Sequence, residues 1–280
     1  MMAPLNIDHL SPLQKTLLIT LNGRVVDAAR RRPLLSDAKA VELADNLDYD
    51  LTTVKLTSGV PEAVAIRSRM LDRAVTTFVR EHRDAVVVEL GCGLETRRWR
   101  LTASQDALWR EVDWYDVDFP EVVELREKLM SETERGHSVG VSLLDPSWTD
   151  TIPKDRPAVI VSDGVLGFLS EDENRRILRR ITDHFPRGQL VFNAYTRFTA
   201  RMNGRFTKVV GMPADFQGYG IADPTDIVAL DPALTYIDEQ FGDAAPERDQ
   251  LNLAYRLLAQ VFANWRGQAR RGVWIVRYRF

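Results

Sequence analysis

The chain has 280 residues, 45% of them hydrophobic and 28% charged, the composition of a globular protein with room for one large domain. Its formal net charge of −3 carries no basic excess, so nucleic acid is not an expected partner. A single cysteine, Cys92, excludes an intrachain disulfide framework and a cysteine-rich metal site, and no metal is expected.

Met1 to Leu10 lacks a basic region followed by an apolar core and does not read as a secretory signal. No apolar run approaches the roughly 20 residues that span a bilayer. The expectation is a cytoplasmic protein without a membrane partner. Residues 11–31 predict a helix: Leu13, Leu17, Leu18 and Leu21 recur at helical spacing, Ser11-Pro12 suits its start, and Arg30 to Arg32 suit its end before Pro33. A second helix fits Ser36 to Leu47, capped by Ser36 or Asp37. A third fits Pro61 to His82. Residues 1–84 therefore form a helical segment.

The texture then changes. Ala85 to Leu90 is a short β-branched run, the mark of a strand buried on both faces. Gly91 and Gly93 follow, then a half-turn or helix from Thr96 to Leu101. A second strand is expected within Trp109 to Val117, a helix from Pro120 to Met130, and a third strand over Ser138 to Leu143. Ala158 to Ser162 is a fourth strand, Glu171 to Phe185 an amphipathic helix, and Gln189 to Ala194 a fifth strand. Strands alternating with helices predict an α/β fold, a parallel sheet with helices on both faces. Beyond it, Arg197 to Gln217 reads as loop or short helix. Thr225 to Leu230 and Ala254 to Trp265 read as helices, and Thr235 to Phe241 and Gly272 to Phe280 as strands. The core is taken as 85–280, with 196–280 a substrate-side extension of the same domain.

Glu89-Leu90-Gly91-Cys92-Gly93-Leu94 follows a strand directly. Glycines there let the backbone approach a ligand, and ligands of doubly wound sheets bind at the carboxyl ends of the strands. Asp118, ending the next strand, is placed to accept from two ribose hydroxyls. Nicotinamide and flavin proteins share this geometry, and a bare strand-to-helix turn is a further reading. Two details favour S-adenosylmethionine. Thr96 replaces the third glycine that a pyrophosphate-binding loop uses for close helix packing. Phe119 and Pro120 follow the acid, and an aromatic ring there can flank adenine.

The sequence resembles the leucine carboxyl methyltransferases and the polyketide O-methyltransferases related to the tetracenomycin enzyme. The resemblance rests on Val87 to Arg97, on Trp114 to Val122, on Ser142 to Asp145 with Trp148, and on Asp163 to Leu169. Upstream, Leu17 to Leu21 with Gly23-Arg24, and Arg67 followed by Asp72, also fit. It covers about Leu13 to Tyr195. It implies a Rossmann-like class I methyltransferase core with an N-terminal helical lid. It further implies that Arg67 meets the methionine carboxylate, Glu89, Gly91 and Gly93 line the methionine and ribose, and Asp118 holds the ribose hydroxyls. Phe119, Ser142 and Leu143 would flank the adenine, with Asp163 near the methionine amino group. Lys15, on the lid, is a weaker candidate for the cofactor carboxylate or the acceptor. Three departures stand out: Glu95 replaces the usual Asp, Asp163 is a methylene shorter than the usual Glu, and Phe168 replaces a usual Tyr.

Methyl transfer from a sulfonium is an in-line displacement in which alignment and exclusion of water dominate. A carboxylate acceptor, with a pKa near ~4, is ionised at neutral pH; a phenol, near ~10, gains from a base. None of His9, His82, His137 and His184 is read at the carboxyl end of a strand, which favours a carboxylate or catalysis by proximity. Tyr195, just past the fifth strand, and Arg24 are the candidate catalytic residues, and Arg197, Arg201 and Arg205 are further candidates to receive an acidic acceptor. Cys92 reads as a buried small residue. The expected function is O-methylation of a carboxylate or phenolic hydroxyl on a small polyketide-like acceptor, by a monomer or homodimer. The alternatives are methylation of a protein C-terminal carboxylate, a cofactor-binding protein without turnover, and, more distantly, a nicotinamide dehydrogenase.

Overall fold

The computed structural model describes residues 4–56, 58–103, 107–131, 134–206, 218–246 and 266–280. The helix expected over 254–265 lies outside the described residues, as do the side chains of 203–206.

The N-terminal segment holds α1 (Leu17–Ala28), α2 (Ala38–Asp45) and α3 (Val60–Glu81). The first helix is shorter than its periodicity predicts. A 3-10 turn over Gln14–Thr16 precedes it, and Ser11 closes that turn by exchanging hydrogen bonds with Gln14. Arg30 to Arg32 fall beyond the end of α1, where Arg30 pairs with Glu62 of α3 instead of the helix terminus. Asp37 caps α2, its side chain accepting from the Ala40 N–H.

The core alternates as expected: β1 (Val86–Leu90), α4 (Arg97–Thr102), β2 (Asp113–Asp118), α5 (Pro120–Leu129), β3 (Gly136–Gly140), β4 (Ala158–Ser162), α6 (Glu171–His184) and β5 (Gly188–Asn193). The second strand starts later than expected, because Trp109 sits in a 3-10 turn that folds Val112 back onto its carbonyl. The third strand is shifted towards the N-terminus. It ends at Gly140, opposite Asp118, and Ser142 begins a turn whose carbonyl accepts from Asp145. His137, just ahead of the expected strand, is therefore on β3, where its ring stacks on Tyr115. The C-terminal third adds α7 (Arg197–Phe206), α8 (Thr225–Leu230), β6 (Thr235–Phe241), the single turn α9 (Arg266–Ala269) and β7 (Trp274–Arg279).

The seven strands form one sheet in the order β3-β2-β1-β4-β5-β7-β6. Strands β1 to β5 pair in parallel, and β7 runs antiparallel to both neighbours. The order reverses between β1 and β4, which puts a crevice at their carboxyl ends. Strand period 2 divides the core. Val86, Val88 and Leu90 join Ile160, Phe192 and α6 on one face, whereas Val87, Val159 and Val191 join α3 on the other. A third cluster lies between Leu17, Leu18 and Leu21 of α1, Ala40 and Leu43 of α2, and Val122 and Leu125 of α5. That packing holds the N-terminal segment over the carboxyl edge of the sheet. No helix among the described residues is long and apolar enough to cross a membrane.

Candidate active site

The loop after β1 turns on two residues in the left-handed region, Gly91 at φ 61° and Gly93 at φ 47°. A β-carbon on Gly91 would stand 2.4 Å from Val165, so both backbone conformation and space require glycine there. Cys92 donates its N–H to the Val117 carbonyl, and Gly93 donates its own to Asp118 Oδ2 at 2.7 Å. Asp118 Oδ1 accepts from the Phe119 N–H at 2.7 Å. Burial pushes the Asp118 carboxyl above its ordinary range, opposed by these two backbone donors.

A cavity of about 560 Å³ opens at this edge, within the range of small-molecule sites. Leu13, Gln14 and Leu17 cover it on the N-terminal side. Arg67, from α3, and Asp163, just past β4, meet across it with Nε 2.5 Å from Oδ1. The two facing atoms, Arg67 Nε and Asp163 Oδ1, are buried yet lack a well-aligned hydrogen bond. Gly164 follows at φ 76° and donates to Asn193 Oδ1 at the end of β5.

Under the glycine loop lies a buried ion cluster. Arg97 Nη1 donates to both oxygens of Glu89, 2.6 Å from Oε2, and Arg97 Nε donates to Asp72 at 2.8 Å. Arg100 reaches Asp37, Asp72, Glu95 and the Thr96 hydroxyl within 3.1 Å. Burial pushes the Glu89 carboxyl up, against the pull of Arg97. Burial acts on Glu95 in the same direction, but Arg100, Arg24 and Arg97 together hold it well below the ordinary range.

Of the residues nominated from sequence, Arg67, Glu89, Gly91, Gly93, Asp118 and Phe119 all line the cavity. So do Ser142, Leu143, Asp163 and Tyr195. Two do not. Arg24 is buried at 1% exposure and is spent on Asp37, Thr96 and the Leu94 carbonyl; it braces the loop and is not available to an acceptor. Lys15 is outside the lining and turns its Nζ to the Asp8 carbonyl at 3.4 Å. Arg197 and Arg201 also stand outside the lining, and the side chain of Arg205 lies outside the described residues. Cys92 is buried and its thiol pushed well up by desolvation, which removes it as a nucleophile.

Sequence reasoning passed over Asn193, Thr199 and Arg271, all of which line the cavity. Asn193 had a usable signal, a polar residue ending a buried strand. Arg271 had none, since its place depends on β7 returning antiparallel beside β5.

The leucine carboxyl methyltransferase family model matches residues 18–182. The chain belongs to that family. Its curated relatives include the tetracenomycin polyketide synthesis O-methyltransferase TcmP of Streptomyces glaucescens, 33% identical over 91% of this chain and 98% of the relative. An S-adenosyl-L-methionine-dependent methyltransferase, dpfgK of Gibberella zeae, is 30% identical over 83% of each chain. Leucine carboxyl methyltransferase 1 of Caenorhabditis elegans is 27% identical, but there the match spans 51% of each chain. Among solved structures, a duf574 family protein from Streptomyces avermitilis superposes with a TM-score of 0.57 over 93% of this chain and 96% of that one, at 15% identity. Mitomycin 7-O-methyltransferase MmcR gives 0.50 over 96% and 75%, at 16% identity. The fold is that of the class I S-adenosylmethionine-dependent methyltransferases, and this chain is an S-adenosylmethionine-dependent methyltransferase of the leucine carboxyl methyltransferase family. The residues fit that cofactor: Arg67 and Asp163 offer imperfectly bonded groups of opposite charge, Asp118 offers a carboxylate, and Gly91 offers a cradle that a β-carbon would fill.

Proposed function

We propose that this chain methylates a carboxylate oxygen of a small, polyketide-like acceptor. The observation that carries the reading is the lining of the cavity. Among the described residues it contains no histidine, and its surface is formed largely by apolar groups such as Leu13, Ile19, Val60, Val64, Phe168 and Trp274. An acceptor that arrives ionised needs alignment and dryness more than a base. The likeness to TcmP over almost its whole length supports a small acceptor. The match to leucine carboxyl methyltransferase 1 takes in only about half of each chain, which gives less support to a protein-directed enzyme.

In this reading Arg67 binds the methionine carboxylate, Asp163 the ammonium, and Asp118 the ribose hydroxyls. Phe119 and Leu143 bracket the adenine beside Ser142. When bound, the cofactor supplies an electrophilic methyl group on a sulfonium. An ionised acceptor oxygen held in line with that methyl would exchange the C–S bond for a C–O bond with opposite charges neutralised, so the chain would need to supply alignment and not an oxyanion hole. The apolar walls exclude water and thereby protect the methyl group from hydrolysis. Tyr195, at the carboxyl end of β5, orients the acceptor.

The test is transfer of labelled methyl from S-adenosylmethionine to a panel of aromatic carboxylic acids and matched phenols. Esters release labelled methanol in alkali, and ethers do not. Alkali-labile product from the acids is the expected result. Products that are all alkali-stable, or no transfer to any acid, would refute the carboxylate assignment.

A further inference from the structure

We infer that Arg271 makes this enzyme selective for acceptors with a second anionic group, remote from the oxygen that is methylated. This rests on the small-acceptor reading above and adds to it the charge pattern of the substrate.

Two cations line the cavity among the described residues, Arg67 and Arg271. Arg67 faces Asp163. Arg271 has no carboxylate partner among the described residues; its Nη1 meets only the neutral Gln268 side chain, at 3.3 Å. Its neighbour in sequence makes the contrast sharp. Arg270 is held by both Glu239 and Asp223, the former through two hydrogen bonds of 2.9 and 3.0 Å. One arginine of the pair is structural and neutralised, and the other meets no carboxylate among the described residues.

Its position is defined. The Arg271 guanidinium lies 5.1 Å from the centroid of Phe198, a ring 57% exposed. The Arg271 carbonyl accepts from the Thr199 hydroxyl at 3.4 Å, and Thr199 and Arg271 line the cavity together. The acids of the lining do not compete for it. Glu89 and Glu95 are paired with arginines of α4, and Asp118 is tied to two backbone N–H groups. Glu173 is turned back onto the Ser170 N–H in a capping box.

Arg271 is solvent-exposed, so it stands at the mouth. A reacting carboxylate must be stripped of water, and a guanidinium on it would occupy the lone pairs that attack. The anion that Arg271 meets is therefore a different group of the same acceptor. Phe198 beside it offers a flat apolar face to an aromatic body. The substrate class is an aromatic acid with a second acidic group at its outer end.

Calorimetry on the protein saturated with S-adenosylhomocysteine tests this, using a naphthalene dicarboxylate against the matching monocarboxylate. The wild type is expected to bind the diacid about tenfold more tightly, the scale of one charge-assisted contact at a partly exposed site. R271Q should erase that ratio, R271K should restore part of it, and raising the salt concentration should shrink it in the wild type. Unchanged affinity for S-adenosylhomocysteine reports that R271Q is folded. Equal binding of the two acids by the wild type, binding of neither, or a ratio that survives R271Q would each overturn the inference. A ratio that depends on Arg271, combined with no methyl transfer to any acid, would instead leave this site standing and refute the proposed reaction.

Discussion

Asp118 is asked to do two things with one carboxylate. It already accepts from the Gly93 and Phe119 N–H groups, and in the proposed site it also accepts from ribose. Both tasks need the ionised form, yet burial raises its pKa. The sign follows directly. A carboxyl raised in the folded chain gives up stability as pH rises through its folded pKa, because the charge must then be carried in a buried place. Cofactor binding works against that cost, since it supplies hydrogen bonds to the charged form only. The affinity for S-adenosylmethionine should therefore fall on acidification, and the fall should begin above the ~4 expected of an exposed aspartate. Isothermal titration across pH 4 to 8 measures it, and an affinity that stays flat down to pH 4 would contradict the assignment. D118N should weaken binding about 10- to 100-fold, the value of one or two charge-assisted hydrogen bonds, and should lose this pH dependence.

The glycine loop is not held by its own helix alone. Asp37, the N-cap of α2, is fully buried and accepts from Ala40 N–H, the Thr96 hydroxyl, Arg24 and Arg100. A single carboxylate thus ties α1, α2, α4 and the end of the loop together. Removing it takes one carboxylate from two buried arginines that keep Glu95, so the loss should approach the roughly 3–5 kcal/mol of a broken buried pair without exceeding it. D37A should show that loss in urea denaturation, whereas D37N keeps an acceptor for the cap and should lose less. Equal and small effects, under ~1 kcal/mol, would show that the cluster relaxes around the gap. This level also shows what the sequence could and could not disclose. Strands β1, β4 and β5 were legible because β-branched runs bounded by turns have few other uses, and Gly91, Gly93 and Asp118 were legible because strand ends point at ligands. Arg24 was misread because an arginine on a helix says nothing of its partners, and Asp37 and Thr96 are distant in sequence. Lys15 stands in a 3-10 turn before α1 and not in the helix expected there, a break that leucine spacing does not disclose. The early end of β3 escaped because Val141 and Leu143 continue an alternation that the Ser142 turn interrupts.

At the scale of the molecule the question is which part yields when the cofactor enters. The N-terminal segment meets the core in two ways. From Arg24 onward it is bound by the buried ion cluster, which does not open cheaply. Before that, Leu17 packs against Gly93, where an added β-carbon would lie 3.3 Å from Leu17 Cβ. Beside it, an exposed hydrogen bond from Gln14 Nε2 to Glu121 Oε2, 2.9 Å long, joins the lid to the first turn of α5. An exposed hydrogen bond contributes about 1 kcal/mol at most, so the front edge ahead of the buried Leu17 and Leu18, residues 11–16, is expected to open first when the cofactor enters. Saturating S-adenosylmethionine should slow hydrogen exchange in residues 11–16 and at Gly93 and Phe119, and leave Ala40 to Asp45 unchanged. It should also raise the melting temperature, because a ligand at 100 times its Kd adds about 2.7 kcal/mol. Protection spread evenly through α2 would mean that the whole N-terminal segment moves as one body and that the ion cluster breaks with it. Q14A should then separate the two: if the front edge alone opens, the variant exchanges cofactor faster with little change in melting temperature.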